Sequence, residues 1–147
     1  MVDCRGFHGR ETVMNPEEEQ LKKLHLQKNA FTVHNFYELD LVEPDHAIYS
    51  LRIRPESLNP HGTVHGGALY TMADDAAGSA VHTDGRRYVT QHGDLHFLKN
   101  QSSGVIRAEG RVRRRGQVTA LVAVDITNEA GELLATGQFS FFCIDQA

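Results

Sequence analysis

Cysteine is scarce. Cys4 and Cys143 are the only two in 147 residues, they lie far apart, and neither belongs to a C-x-x-C pair. That argues against a disulfide framework and against a structural zinc site. Apolar runs are short as well; none approaches the roughly 18 residues needed to cross a bilayer, so no membrane span is expected. Met1 is followed by Asp3, Arg5, His8 and Arg10 rather than by an apolar stretch. No secretory leader is expected, and a cytoplasmic location follows. Positive charge is in deficit: 15 Lys and Arg against 19 Asp and Glu leave a net charge of −4, which argues against nucleic acid as the main partner. Ser57 and Ser140 lack a G-x-S-x-G context, so a serine nucleophile is not supported. What remains is one α+β domain, within the usual range of roughly 100–150 residues.

Residues 1–14 carry charges and two glycines without periodicity and read as a flexible arm ahead of a single domain over 15–147. Asn15-Pro16-Glu17-Glu18 has the form of an N-cap, a proline at the first helical position and acids in the first turn. With Leu21, Leu24 and His25 at helical spacing, it predicts a helix over roughly 16–28. Residues 35–43 and 47–54 read as strands around the turn Glu43-Pro44-Asp45-His46. From Gly66 to about His82, apolar residues fall at 69, 72, 73, 76, 77 and 80, which is one face of a long helix. That stripe is mostly alanine, small enough for a sheet to wrap closely around it, and Gly85 ends the region. Then come only strands: 88–98, 105–113, 118–128 and 133–144, each joined to the next by a glycine-containing turn and expected to pair antiparallel in sequence order. One long helix cannot cover six strands, so an edge or face is expected to meet a second subunit.

The segment Asn59-Pro60-His61-Gly62-Thr63-Val64-His65-Gly66-Gly67 leads into that helix, with Asp74 and Asp75 two turns inside it. Gly66 and Gly67 place backbone N–H groups at a helix N-terminus, where they can stabilise a developing oxyanion. A tight lead-in turn explains His-Gly-Gly equally well. Asp74 and Asp75 lie on opposite flanks of the apolar stripe, each about 130° from its centre at 100° per residue. Spacing therefore leaves open which of the two is functional, or whether both are solvated acids.

These residues resemble a known family. Asn59, Gly62, His65-Gly66-Gly67 and Asp74 at these offsets, followed by strands, look like a hotdog-fold acyl-CoA thioesterase of the phenylacetate-pathway (PaaI-like) kind. The likeness spans roughly residues 35–144 and includes Phe97-Leu98-Lys99 and Leu134-Ala135-Thr136-Gly137. The resemblance implies a long central helix wrapped by a mainly antiparallel sheet of about six strands. It implies that the Gly66 N–H polarises a thioester carbonyl and that Asp74 acts as nucleophile or as general base for water. Asn59 and His65 would position the substrate, Gly67 would contact it, and Thr90 would orient the water. No cofactor or metal is implied. The partners implied are an acyl-CoA substrate and a second copy of the chain. The aspartate would come from one subunit and the His-Gly-Gly from its neighbour, in a dimer or a dimer of dimers.

Other constellations are weaker. His61 and His65 are four apart but on a loop broken by Pro60 and Gly62. His92, Asp94 and His96 alternate on one face of an expected strand; solvated or hydrogen-bonded imidazoles account for them better than a metal site. Arg113, Arg114 and Arg115, with Arg111 nearby, cluster at one hairpin. They could hold coenzyme A phosphates or be a solvated tip. Two other functions stay open beside hydrolysis: a hotdog hydratase or dehydratase, and a non-catalytic acyl-CoA-binding module. An intact Asn59, Gly66 and Asp74 argues against a pure binder.

Overall fold

The computed structural model describes residues 15–145 except 18, 21 and 24–28. The expected arm, Cys4, and Leu21, Leu24 and His25 of the expected first helix lie outside the described residues. Within that helix, residues 16, 17, 19, 20, 22 and 23 are helical. A separate short helix, Ala30–His34, follows; the Asn29 side chain caps it by accepting from Thr32 N. Residues 35–37 do not start a strand, as the sequence suggested. They close the helix instead: Phe36 N donates to Val33 O at 3.2 Å and Tyr37 N to Thr32 O at 3.1 Å. This pair of bonds puts Phe36 in the left-handed region (φ 64°), where glycine is usual.

Six strands form one antiparallel sheet: β1 Glu38–Glu43, β2 His46–Arg52, β3 Tyr88–Phe97, β4 Val105–Arg115, β5 Thr119–Asn128 and β6 Leu133–Cys143. Their order across the sheet is β1-β2-β4-β5-β6-β3. Here the last four strands depart from the expected meander. β4, β5 and β6 are consecutive hairpin neighbours, but β3 pairs with β6 and not with β4. The connection from β3 to β4 makes this possible by crossing one end of the molecule. Leu98 N and Lys99 N donate to Leu134 O, Gln101 O accepts from Val64 N, and Gly104 O accepts from Ile53 N. β3 is thereby carried to the sheet's outer edge.

The central helix, Gly66–Val81, lies along the inner face of this sheet. Its expected stripe is the buried one: Leu69, Met72, Ala73, Ala76, Ala77 and Ala80 are all in the core. Alanine is required here by contact with backbone. A Cβ built on Gly110 of β4 would sit 2.7 Å from Ala76 O, so strand and helix approach as closely as their main chains allow. No helix among the described residues is long and apolar enough to cross a membrane.

Candidate active site

The site is built where the loop before the central helix meets the edge strand β3. Asn59 shapes that loop. Its Oδ1 accepts from His61 N at 2.9 Å and Thr63 N at 3.2 Å, and its Nδ2 donates to Thr63 Oγ1 at 2.9 Å. Two further bonds, His65 N to Ser57 O and Val64 N to Gln101 O, both 2.8 Å, fix the chain as it enters the helix. His65 is the N-cap, and its Nδ1 accepts from Gly67 N at 2.8 Å. An accepting Nδ1 carries no proton, so the neutral ring holds its hydrogen on Nε2.

This cap divides the two glycines. The Gly67 N–H is committed to His65, and a Cβ at Gly67 would lie 2.9 Å from His65 Nδ1. Gly67 therefore makes room for the cap. The Gly66 N–H is different: it has no acceptor among the described residues. A Cβ on Gly66 would meet only the Phe97 ring, at 3.5 Å, an ordinary contact. Packing does not demand glycine at 66.

The helix and β3 run side by side in opposite directions. Phe97 lies over Gly66, Tyr70 Oη donates to Gly93 O at 3.4 Å, and Thr90 Oγ1 donates to Asp74 Oδ1 at 2.7 Å. Thr90 thus bonds Asp74 directly, where the resemblance implied only that Thr90 would orient the water. Half-burial pushes the Asp74 carboxyl above the usual aspartate range, with the Thr90 bond opposing the shift. Gly66 and Asp74 are eight residues apart, which at 1.5 Å per residue is about 12 Å along the helix.

Asp75, which spacing could not separate from Asp74, has another neighbourhood. It accepts from Thr32 Oγ1 at 2.6 Å and from Asn29 Nδ2 at 3.3 Å, and so ties the short helix Ala30–His34 to the central one. Nothing local in the sequence announced these partners, which lie more than forty residues upstream.

The arginines do not act as one patch. A register shift between Val112 and Arg114 turns Arg115 inward. Its guanidinium bonds Asp45 Oδ1 at 2.6 Å, Val81 O at 2.8 Å and Tyr88 Oη at 3.0 Å, and lies 2.9 Å from Asp84 Oδ2. Arg113 and Arg114 remain exposed. His92, Asp94 and His96 are likewise exposed on β3, and no group of three metal-ligating side chains occurs among the described residues.

A single long helix inside a curved six-stranded antiparallel sheet is the hotdog fold, and the class it defines here is thioester hydrolase. A family model of the thioesterase superfamily matches residues 61–135, just over half of the chain, and the chain belongs to that superfamily, in its PaaI-like branch. It is 27% identical over 100 residues to the acyl-coenzyme A thioesterase PaaI of Escherichia coli K12, covering 66% of this chain and 71% of that protein. A hypothetical thioesterase of Streptococcus pneumoniae TIGR4, solved with coenzyme A, superposes with a TM-score of 0.77. The two are 27% identical, and the alignment covers 84% of this chain and 98% of that one. The structure of E. coli PaaI gives a TM-score of 0.83 at 21% identity, over 88% and 94% of the two chains, a likeness of fold.

Proposed function

We propose that this protein hydrolyses acyl-CoA thioesters, without metal or organic cofactor, in sites shared between two copies of the chain. One observation carries the reading. The unpaired Gly66 N–H and the Asp74–Thr90 pair line the same edge of the fold, yet lie about 12 Å apart. β3 is a sheet edge, and an edge strand offers unpaired backbone groups to a second strand. Antiparallel pairing of two β3 strands about a two-fold axis sets the Gly66 end of one chain beside the Asp74 end of the other.

In that arrangement the Gly66 N–H, aided by the helix dipole, polarises the thioester carbonyl of a substrate held against it. His65 and Asn59 act by holding the donor in place, one as helix cap and one as the knot of the loop. Asp74 from the partner copy either takes a proton from water or attacks the carbonyl itself, and Thr90 fixes the carboxylate and water. Attack by that water, or by Asp74 to give an acyl–aspartyl anhydride that water then hydrolyses, breaks the C–S bond. The acyl group leaves as the carboxylic acid, and the thiolate takes the proton removed from water and leaves as free CoA. Arg113 and Arg114 are the exposed cations offered to the CoA phosphates; Arg115 would have to leave Asp45 and Asp84 to join them. The partner of Asp74 is a hydroxyl and not an imidazole, which favours hydrolysis over the acid–imidazole pairing of a hydratase.

The test is a panel of acyl-CoAs with thiol detection. CoA should be released from at least one of them without added metal and at the same rate after chelation. Activity lost to a chelator and restored by zinc or manganese would refute the metal-free mechanism; no release from any acyl-CoA would refute the function.

A further inference from the structure

Between Gly66 and Asp74 the helix carries one bulky side chain toward β3, that of Tyr70. It stands about one turn from each. Its ring packs on Phe139 with centroids 5.2 Å apart, and its hydroxyl reaches the Gly93 carbonyl. The opening that admits it exists because residue 93 is glycine. A Cβ there would come within 2.5 Å of both Tyr70 Oη and Phe139 Cε1. The ring is therefore held in one place although 38% of the residue is exposed, an arrangement that core packing alone does not call for.

We infer that Tyr70 is the specificity-determining residue that limits acyl-chain length, a conclusion that rests on the shared site proposed above. The carbonyl in that site sits between Gly66 of one chain and Asp74 of the other. A two-fold axis that superposes those two ends passes beside their midpoint, which is Tyr70. A bound acyl-CoA then has two directions from its carbonyl. The charged nucleotide end must stay in water, because burying unpaired phosphates is prohibitive. The apolar acyl group takes the inward direction, along the helix toward the axis. There it ends against the Tyr70 ring and the same ring of the partner copy.

The experiment compares wild type, Tyr70→Ala and Tyr70→Phe on saturated acyl-CoAs from short to long. It reads kcat/KM, and also affinity by calorimetry in an Asp74→Asn background, where turnover does not interfere. Tyr70→Ala should raise the long-to-short ratio about tenfold or more in both, the gain from burying a few more methylenes. Tyr70→Phe, which keeps the ring, should keep the wild-type ratio. Tyr70 is partly exposed, so truncation should leave the fold intact; if Tyr70→Ala does not fold, Tyr70→Leu provides the shortened side chain. An unchanged ratio in the folded truncation overturns the assignment even if hydrolysis is normal. A shifted affinity ratio in a protein that hydrolyses no thioester supports the assignment and refutes the hydrolytic function. Failure of the Asp74→Asn protein to bind any acyl-CoA overturns the assignment.

Discussion

Asp74 and Asp75 are sequence neighbours on one helix, both half-buried, and burial pushes both carboxyls above the usual aspartate range. Their flanks nevertheless do different work. Asp75 faces a closed flank, where Thr32 and Asn29 both donate to it and the short helix covers it. Asp74 faces an open flank beside an edge strand, with Thr90 as its one hydrogen-bond donor among the described residues. Desolvation alone does not mark a reactive group. What separates the two is that both oxygens of Asp75 have a donor from the protein, whereas only Oδ1 of Asp74 has one among the described residues.

The sharpest way to break this comparison is to neutralise each acid. Asp74→Asn should lower kcat by roughly 10²–10⁴, the range for loss of a positioned base, while Asp75→Asn should stay within a few-fold of wild type. Steady-state kinetics on the best acyl-CoA decides it. If Asp75→Asn is the inactive variant, the roles of the flanks are reversed.

A second test separates the two ends of the open flank. Gly66 is the first helical residue, where proline is tolerated, and His65 at φ −65°, ψ 136° already has the backbone a residue before proline needs. Gly66→Pro thus deletes the free N–H with little disturbance and should cost about 10²–10³ in kcat. Refolding Gly66→Pro together with Asp74→Asn makes mixed dimers in which both lesions fall in one site and the other site is intact. About half the dimers are mixed, so activity should return to roughly a quarter of wild type. No recovery, with mixed dimers confirmed by mass, would place the whole site in one chain.

Smaller effects concern the closed flank and pH. Asp75→Ala removes the acceptor of both Thr32 Oγ1 and Asn29 Nδ2, and the loss should cost about 1 kcal/mol or more in chemical denaturation. The raised Asp75 carboxyl also has a sign. An acid whose pKa is higher folded than unfolded favours the folded state when protonated. The wild type should therefore gain stability relative to Asp75→Asn as pH falls through the window just above the usual aspartate value of 3.8. Activity should move the other way. Asp74 must be ionised to act, so kcat/KM, which reports the free enzyme, should fall as pH drops, beginning above that same value.

Much of the candidate site's layout was legible because its signals are local. An alanine stripe at helical spacing, a glycine pair at the helix start and an acid two turns on are all encoded within some twenty residues, and periodicity reads them directly. Resemblance alone pointed to Thr90, and its bond to Asp74 was not legible, since sixteen residues and a change of element separate them. Tyr70 gave no signal: one tyrosine on an otherwise small-residue face is ambiguous until Gly93 is seen beneath it. The inward turn of Arg115 was hidden too, because a one-residue register shift in a strand exchanges its faces.

The sequence by itself determined the approximate positions of the six strands, the central helix with its buried face and the position of its N-terminus, since helical period, capping and turn chemistry act over a few residues. Only the tertiary structure decided that β3 leaves its neighbour in sequence for β6, that His65 takes the Gly67 N–H and leaves Gly66 free, and that Asp75 rather than Asp74 holds the short helix. The strand partner and the acid's role follow from which distant groups meet, and contacts of that kind are set by packing the whole chain. The cap depends on one side-chain rotamer turning back over a glycine, which composition and spacing allow but do not choose.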